Sequence, residues 1–474
     1  MEEYKNKYLK NKYLKYKNKY LKYKNKYLKY KINGGGGKEN NILIPELWNK
    51  IKINDVDLIT LHNNSLNKLL IPSNINIENH HIFNKKIKNL NKISNQKHSG
   101  RCWMFAGLNM LRNKFIKSYN LASTFEFSQS YLFFWDKFER MNYIIYLLEH
   151  LYKKNEPING RIIENIILNF IDDGGTWSMF ENLIKKYGLI PKSAFPETYH
   201  TSHSNDINII LKKKLKEYLR DIYDEKMDKP RALKDIYLLL VKFFGKPPNE
   251  FNWEYMDKND KYKIKKNLTI EKFTNMIKID LCDYICLLND PRNEYGHTYS
   301  VEYLNNMVEG NEIKYLNVDM DIIKQVAKKS IDKNDSMYFS CDVGKFLLNK
   351  NNILDTEIYK IGDFLNINFN LNKKERLLCY DTQPTHAMVI TGYNTVNSVI
   401  NRWQIENSWG NNKNDNENDN ENDNGYYSMT DKWMDEYVFE IIVNKKYISD
   451  DLKKKWNQDI HHRFPLWDPF GTLA

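Results

Sequence analysis

A Ser-Gly turn that delivers a cysteine to the start of an apolar helical run constrains this chain more than any other feature. The segment is Asn95-Gln96-Lys97-His98-Ser99-Gly100-Arg101-Cys102-Trp103-Met104-Phe105-Ala106. Met104, Leu108, Leu111 and Phe115 then recur at intervals of four, three and four, which is one face of an amphipathic helix. A thiol at a helix N-terminus sits at the positive end of the helix dipole, which stabilises its thiolate. Six residues before Cys102, the side-chain amide of Gln96 can join the Cys102 backbone N–H in cradling an oxyanion. A buried structural cysteine is the ordinary fate of a free Cys. The segment alone leaves both readings open, and the partners of Cys102 decide.

A thiol nucleophile needs a base, and the base needs an orienter. Of eleven histidines, His386 opens the strand-like run Thr385-His386-Ala387-Met388-Val389-Ile390-Thr391-Gly392-Tyr393, where sheet geometry would hold its ring. Downstream lies Ile405-Glu406-Asn407-Ser408-Trp409-Gly410. The Asn407 carbonyl oxygen can accept from one ring nitrogen of His386 and so aim the other at Cys102. Trp409 can shield that hydrogen bond from water, which strengthens it. Taken singly, His386 is a satisfied strand histidine and Asn407 a turn amide ahead of Gly410. In the order Gln96, Cys102, His386, Asn407 they make a thiol-hydrolase site. His98, four residues before Cys102, is the rival base and lacks an evident orienter. His461-His462 has no third ligand nearby, so no metal is expected. Without a P-loop or a Gly-rich dinucleotide turn, no cofactor is expected either.

The formal net charge of +12 is concentrated at the beginning of the chain. Residues 1–31 hold twelve Lys and two Glu, and the remainder is nearly balanced at 60 basic against 58 acidic residues. Those first residues repeat Lys-Tyr-Leu-Lys-Tyr-Lys-Asn in heptad steps. Their like charges and poor apolar pairing argue against a coiled coil and for a disordered or transiently helical tail. A functional version of the tail would be weak attachment to nucleic acid or to an anionic membrane surface through Lys and Tyr. Glycines 34–37 make a flexible joint, so residues 1–37 read as tail and linker.

From residue 42 the composition is globular. Helical segments are expected to about residue 335, including 126–140 and 179–187, the latter stopped by Gly188. Strands are predicted at Met337–Cys341, 387–393, 402–406 and 437–443. Residues 411–424, with five acids, one Lys and otherwise Asn, form an insert that must loop into solvent. Five cysteines in so long a chain do not make a disulfide framework. Cys282 and Cys286, four apart at helical spacing, read as core residues. No early apolar h-region and no run of spanning length are present, which predicts a soluble, cytoplasmic protein without a membrane span.

The set Gln96, Cys102, His386 and Asn407 resembles the papain superfamily of cysteine peptidases and, more narrowly, its bleomycin hydrolase family. The resemblance extends through Asn95 to Trp103 (with His98 where Ser is commoner), Phe125-Glu126-Phe127-Ser128-Gln129-Ser130-Tyr131, Asp173-Gly174-Gly175, and Asn289-Asp290-Pro291-Arg292. It continues through Cys341-Asp342-Val343-Gly344-Lys345 and the closing Pro465-Leu466-Trp467-Asp468-Pro469-Phe470-Gly471-Thr472-Leu473-Ala474. It runs from about residue 42 to the end.

The resemblance implies an α+β papain-like core, with a helical lobe carrying Cys102 and a β-barrel lobe carrying His386 and Asn407. Large, mostly helical insertions between about 140 and 335 extend that core. It further implies a broad-specificity cysteine aminopeptidase acting on peptides and related amides with a free N-terminus, assembled as a homohexamer around an internal channel. Residues 451–474 would then be a C-terminal arm in the active-site cleft, with Ala474 anchoring the substrate's N-terminus. A carboxylate there would pair with the substrate's α-ammonium. Family chains carry one residue beyond that alanine and trim it, so self-trimming is not expected here. The Lys/Tyr tail and the Asn-rich insert have no family counterpart. A nucleic-acid-binding protein using the basic tail or channel, and a papain-type endopeptidase, are the alternatives.

Overall fold

A computed structural model describes residues 55–72, 75, 81–88, 90–410 and 425–473. The Lys/Tyr tail, the Asn-rich insert and Ala474 lie outside the described residues. The chain divides into two units, Met1–Leu66 and Asn67–Ala474. In the first, Asp55–Asn63 is a helix with Asp55 and Asp57 in its first turn, where carboxylates complement the helix dipole.

The second unit is organised around a helix that starts at the nucleophile, α1 (Cys102–Tyr119). Met104, Leu108, Leu111 and Phe115 are buried as predicted, but so is every residue from Cys102 to Arg112. A helix enclosed on all sides loses the one-faced pattern of a surface helix. It is enclosed because α2 (Gln129–Lys153) and α3 (Trp177–Tyr187) pack on one side and a sheet on the other. The polar side chains this entombs find partners: Asn109 Nδ2 donates to Ser94 Oγ at 3.0 Å, and Arg112 Nη2 to the Lys92 carbonyl at 2.7 Å. The helix expected at 126–140 begins at Gln129, because the Ser128 hydroxyl accepts the Tyr131 N–H at 3.1 Å and caps it there. Gly188 ends α3 with φ at 68°, a left-handed position that glycine reaches without strain.

Six antiparallel strands form the centre of the sheet: β1 (Tyr284–Leu288), β2 (Met337–Cys341), β3 (His386–Val396), β4 (Val399–Glu406), β5 (Tyr426–Thr430) and β6 (Val438–Asn444). Their spatial order is β1-β6-β2-β3-β4-β5. Alternate residues serve two cores. Tyr338, Ala387 and Val389 face α1, whereas Phe339, Cys341, Met388 and Ile390 pack in a second core with the helices Met320–Asp332 and Asp431–Tyr437. Burial on both faces is why these strands read as nearly continuous apolar runs.

Two expectations need correction. The stretch before residue 335 is not helical throughout: Glu250–Met256 and Tyr262–Thr269 form a hairpin, and short strands follow from β1 onward. Asp257 closes the hairpin turn by accepting the Asn259 and Lys261 N–H groups at 2.8 and 3.1 Å. Cys282 and Cys286 share no helix. Cys282 is exposed on a 3-10 turn and only Cys286, in β1, is a core residue.

Candidate active site

Cys102 is the first residue of α1, entered through Arg101 at φ −88° and ψ 19°. The turn before it is held from outside by Asp173. Gly100 N–H donates to Asp173 Oδ2 at 3.0 Å, and Trp103 Nε1 to the Asp173 carbonyl at 2.7 Å. The Asp173 carboxylate also accepts from Ser204 Oγ, from Asn208 Nδ2 at 2.7 Å and from the buried Lys137 Nζ at 2.9 Å. Burial works against its charge, but Lys137, Ser204 and Asn208 outweigh that and hold the carboxyl well below the usual carboxylate range. The nucleophile turn therefore rests on a fixed anion.

His386 opens β3 and lines the same cleft as Cys102. Pairing of β3 with β4 sets Val389 opposite Glu406, which brings Asn407 beside the first residues of β3. Asn407 Oδ1 lies 2.8 Å from His386 Nε2 and accepts the Ser408 N–H at 2.7 Å, so the amide's orientation is fixed. An acceptor at Oδ1 makes Nε2 the donor and leaves Nδ1 as the nitrogen available to a thiol. The Trp409 ring covers the imidazole at 4.8 Å between centroids.

Burial pushes the Cys102 thiol up to about 11, against the pull of the backbone around Ala387 and Trp103. It also pushes the His386 imidazole down to about 4, against the Asn407 hydrogen bond. Each group alone resists ionisation. Moving the proton from thiol to imidazole creates both charges at once, and each is then the other's counter-ion in a low-dielectric site.

Gln96 is tied to the Asn407 loop. Its N–H donates to the Ser408 carbonyl at 2.8 Å, and its Oε1 accepts from Ser408 Oγ at 2.6 Å. Its Nε2 donates to the Ser99 carbonyl at 2.7 Å, which spends one of two amide hydrogens and leaves the other. Gln96, Cys102, His386, Trp409, Asp173 and Leu473 line one cleft of about 630 Å³.

The C-terminal end of the chain enters that cleft. Thr472 Oγ1 donates to the Pro384 carbonyl at 3.1 Å, two residues before His386. Leu473 lies so close to Gly174 that a Cβ there would stand 2.6 Å from the Leu473 carbonyl oxygen. Ala474 itself is outside the described residues.

His98 is exposed, packs beside His203 with centroids 4.9 Å apart, and does not line the cleft. His461 packs beside His297. Among the described residues no group of three His, Cys, Asp or Glu is placed to hold a metal, and no helix is long and apolar enough to cross a membrane. Sequence reasoning missed Lys137 and Ser408. Lys137 is one of many lysines and only packing reveals its burial, whereas the place of Ser408 beside Asn407 was a signal.

Residues 46–471 match the model of the Peptidase C1-like family. The chain belongs to that family. Its relatives include aminopeptidase C of Listeria monocytogenes serovar 1/2a, 39% identical over 81% of this chain and 86% of the relative. Bleomycin hydrolases of Gallus gallus and Homo sapiens are 37% and 36% identical, over 81% and 83% of this chain and 86% and 89% of theirs. The crystal structure of PepW from Lactobacillus rhamnosis matches with a TM-score of 0.85 at 32% identity, covering 94% of this chain and all of that one. The Peptidase C1-like chain thus has the papain-like α+β fold that the family resemblance implies.

Proposed function

We propose that this chain is a cysteine aminopeptidase of the bleomycin hydrolase type, releasing N-terminal residues from peptides and related amides. What supports it most is one cleft that holds Cys102, His386 and the C-terminal Leu473 together. In this mechanism Cys102 gives its proton to His386 and attacks the scissile carbonyl as a thiolate. The second Nε2 hydrogen of Gln96 and the Cys102 N–H, in the unpaired first turn of α1, hold the oxyanion. His386 protonates the leaving amine and then takes a proton from the water that hydrolyses the thioester. Asn407 keeps the imidazole in the productive tautomer, and Trp409 shields their bond.

The arm accounts for exopeptidase action. Residues 451–474 are assigned as the arm of a catalytic domain spanning 42–474, with the Ala474 carboxylate pairing with the substrate's α-ammonium. An arm entering the cleft at Leu473 would block any substrate residue beyond the one ahead of the scissile bond, which counts against the endopeptidase alternative. The test compares a free-amine aminoacyl amide with its N-acetylated form. Cleavage of the free form only, and none by Cys102→Ala, is expected; equal turnover by that variant would sink the assignment. Deleting Leu473-Ala474 should admit the acetylated substrate.

A homohexamer with sites on an internal channel, and a cytoplasmic location, belong to the same proposal. Sedimentation of the purified chain as a hexamer checks the first, and cell fractionation the second. Twelve lysines in residues 1–31 favour a separate activity for the tail, weak nucleic-acid binding. Deleting residues 1–37 should remove any salt-sensitive binding and leave peptidase activity in place.

A further inference from the structure

On its way to the cleft, the C-terminal segment crosses one ion cluster. Arg292 donates from Nη1 and Nη2 to the two carboxylate oxygens of Asp468, at 3.0 and 2.9 Å. From Nε and Nη2 it donates to both oxygens of Asp290, at 2.9 and 3.0 Å. The three side chains are 10%, 14% and 0% exposed for Arg292, Asp468 and Asp290. The guanidinium also lies over the rings of Phe464 and Phe470, 5.8 and 5.4 Å from their centroids. One cation is thus gripped on two edges by carboxylates and on its faces by the arm's aromatics. Planar bidentate pairs of this kind fix geometry as well as energy.

The base of the grip is rigid. Asp290 N–H donates to Asn317 Oδ1 at 2.8 Å, Asn317 Nδ2 to the Asp290 carbonyl at 3.0 Å, and Asn289 Nδ2 to the Val318 carbonyl at 3.0 Å. This loop leaves β1, which pairs with β6, then β2, then β3. Arg292 is therefore referenced to the same sheet that carries His386. On the arm side, Asp468 caps the turn Pro469–Gly471 by accepting the Phe470 N–H at 3.0 Å, and Thr472 and Leu473 follow directly into the cleft.

We propose that Arg292 is a positioning residue: by clamping Asp468 it sets how far the arm reaches toward Cys102, and so enforces the requirement for a free N-terminus. The clamp rests on the aminopeptidase reading of the arm. Asp468→Asn keeps the cap acceptor and the size but removes the charge, and Asp468→Ala removes both. In either variant Arg292 retains Asp290 as counter-ion, so no buried cation is stranded.

The test uses the full chain. It measures the ratio of kcat/KM for a free-amine peptide to that for its N-acetylated form, together with the rate at which a carboxypeptidase trims the C-terminus. Asp468→Ala should lower the ratio by about tenfold or more and speed trimming, with Asp468→Asn between it and the parent chain. An unchanged ratio in both variants overturns the clamp if deletion of Leu473-Ala474 still collapses the ratio. Should that deletion also leave the ratio unchanged, the arm is not the ruler, and the aminopeptidase account of it fails together with the clamp.

Discussion

Arg112 and Glu406 join the two walls of the active site through a buried ion pair. Arg112 stands ten residues along α1 from Cys102, and Glu406 immediately precedes Asn407. Nη2 and Oε1 are 2.8 Å apart, and the two side chains are 1% and 0% exposed. Burial raises the Glu406 carboxyl against the pull of Arg112, so the pair carries a large desolvation cost.

Removing one partner strands the other charge in the core. Glu406→Gln is therefore expected to cost roughly 3 kcal/mol or more of stability, whereas Glu406→Leu combined with Arg112→Met costs less than the single change. Urea unfolding of the three chains checks this. A double variant as unstable as the single one would mean that packing, not the stranded charge, dominates.

The reactivity of Cys102 should report its dependence on His386. With the thiol pushed up to about 11 by burial, roughly one molecule in ten thousand would be ionised at pH 7 without a proton acceptor. In the parent chain His386 accepts that proton as the sulfur attacks, so alkylation by iodoacetamide is expected to be fast across neutral pH. In His386→Ala it should be slow at pH 7 and climb about tenfold per pH unit above it. A variant that alkylates at the parent rate at pH 7 would show that the imidazole does not activate the thiol.

How much of this was legible in the sequence follows from how local each relationship is. The nucleophile turn, the strand at Met337–Cys341 and the stop at Gly188 are short-range patterns and stand where the residues put them, and the strand expected at 387–393 runs slightly longer, His386–Val396. The hairpin at 250–269 was hidden by its second strand, Tyr262–Thr269, which is mostly exposed and carries the extra residue of the register shift, whereas the alternation of Phe251, Trp253 and Tyr255 in the first was a signal. The full enclosure of α1, the Lys137–Asp173 pair and the Arg292 clamp join residues 36 to 176 positions apart, and nothing in either local segment announces the other. Even so, Asp173 and Arg292 both fall in strings that carried the family resemblance.

Acid should destabilise the folded chain through His386. Its folded value of about 4 lies below the ordinary 6.5, so the unfolded chain binds a proton between those values and the folded chain does not. Stability from this group is complete above pH 6.5 and falls as the pH drops through that window, by about 3 kcal/mol in all. Comparing the pH dependence of thermal unfolding in the parent chain and in His386→Leu isolates the contribution. The variant should lose less stability between pH 6.5 and 4; parallel curves would place the acid sensitivity elsewhere.

Gln96 and Ser408 should contribute unequally to the chemical step. The Gln96 amide is the assigned oxyanion donor, so Gln96→Ala is expected to lower kcat by about 10²-fold with little change in KM, the loss of one donor to a developing charge. Ser408 touches no substrate; its hydroxyl holds Gln96 Oε1 at 2.6 Å and so keeps Nε2 turned toward the cleft. Gln96 retains its Nε2 bond to the Ser99 carbonyl when that hydroxyl is gone. Ser408→Ala should therefore cost about tenfold in kcat, the scale of one neutral hydrogen bond. In Gln96→Ala the further loss from Ser408→Ala should vanish, because the hydroxyl acts only through the amide it holds. Steady-state kinetics of the two single variants and the double variant decide it. Additive losses would give Ser408 a role of its own, independent of Gln96.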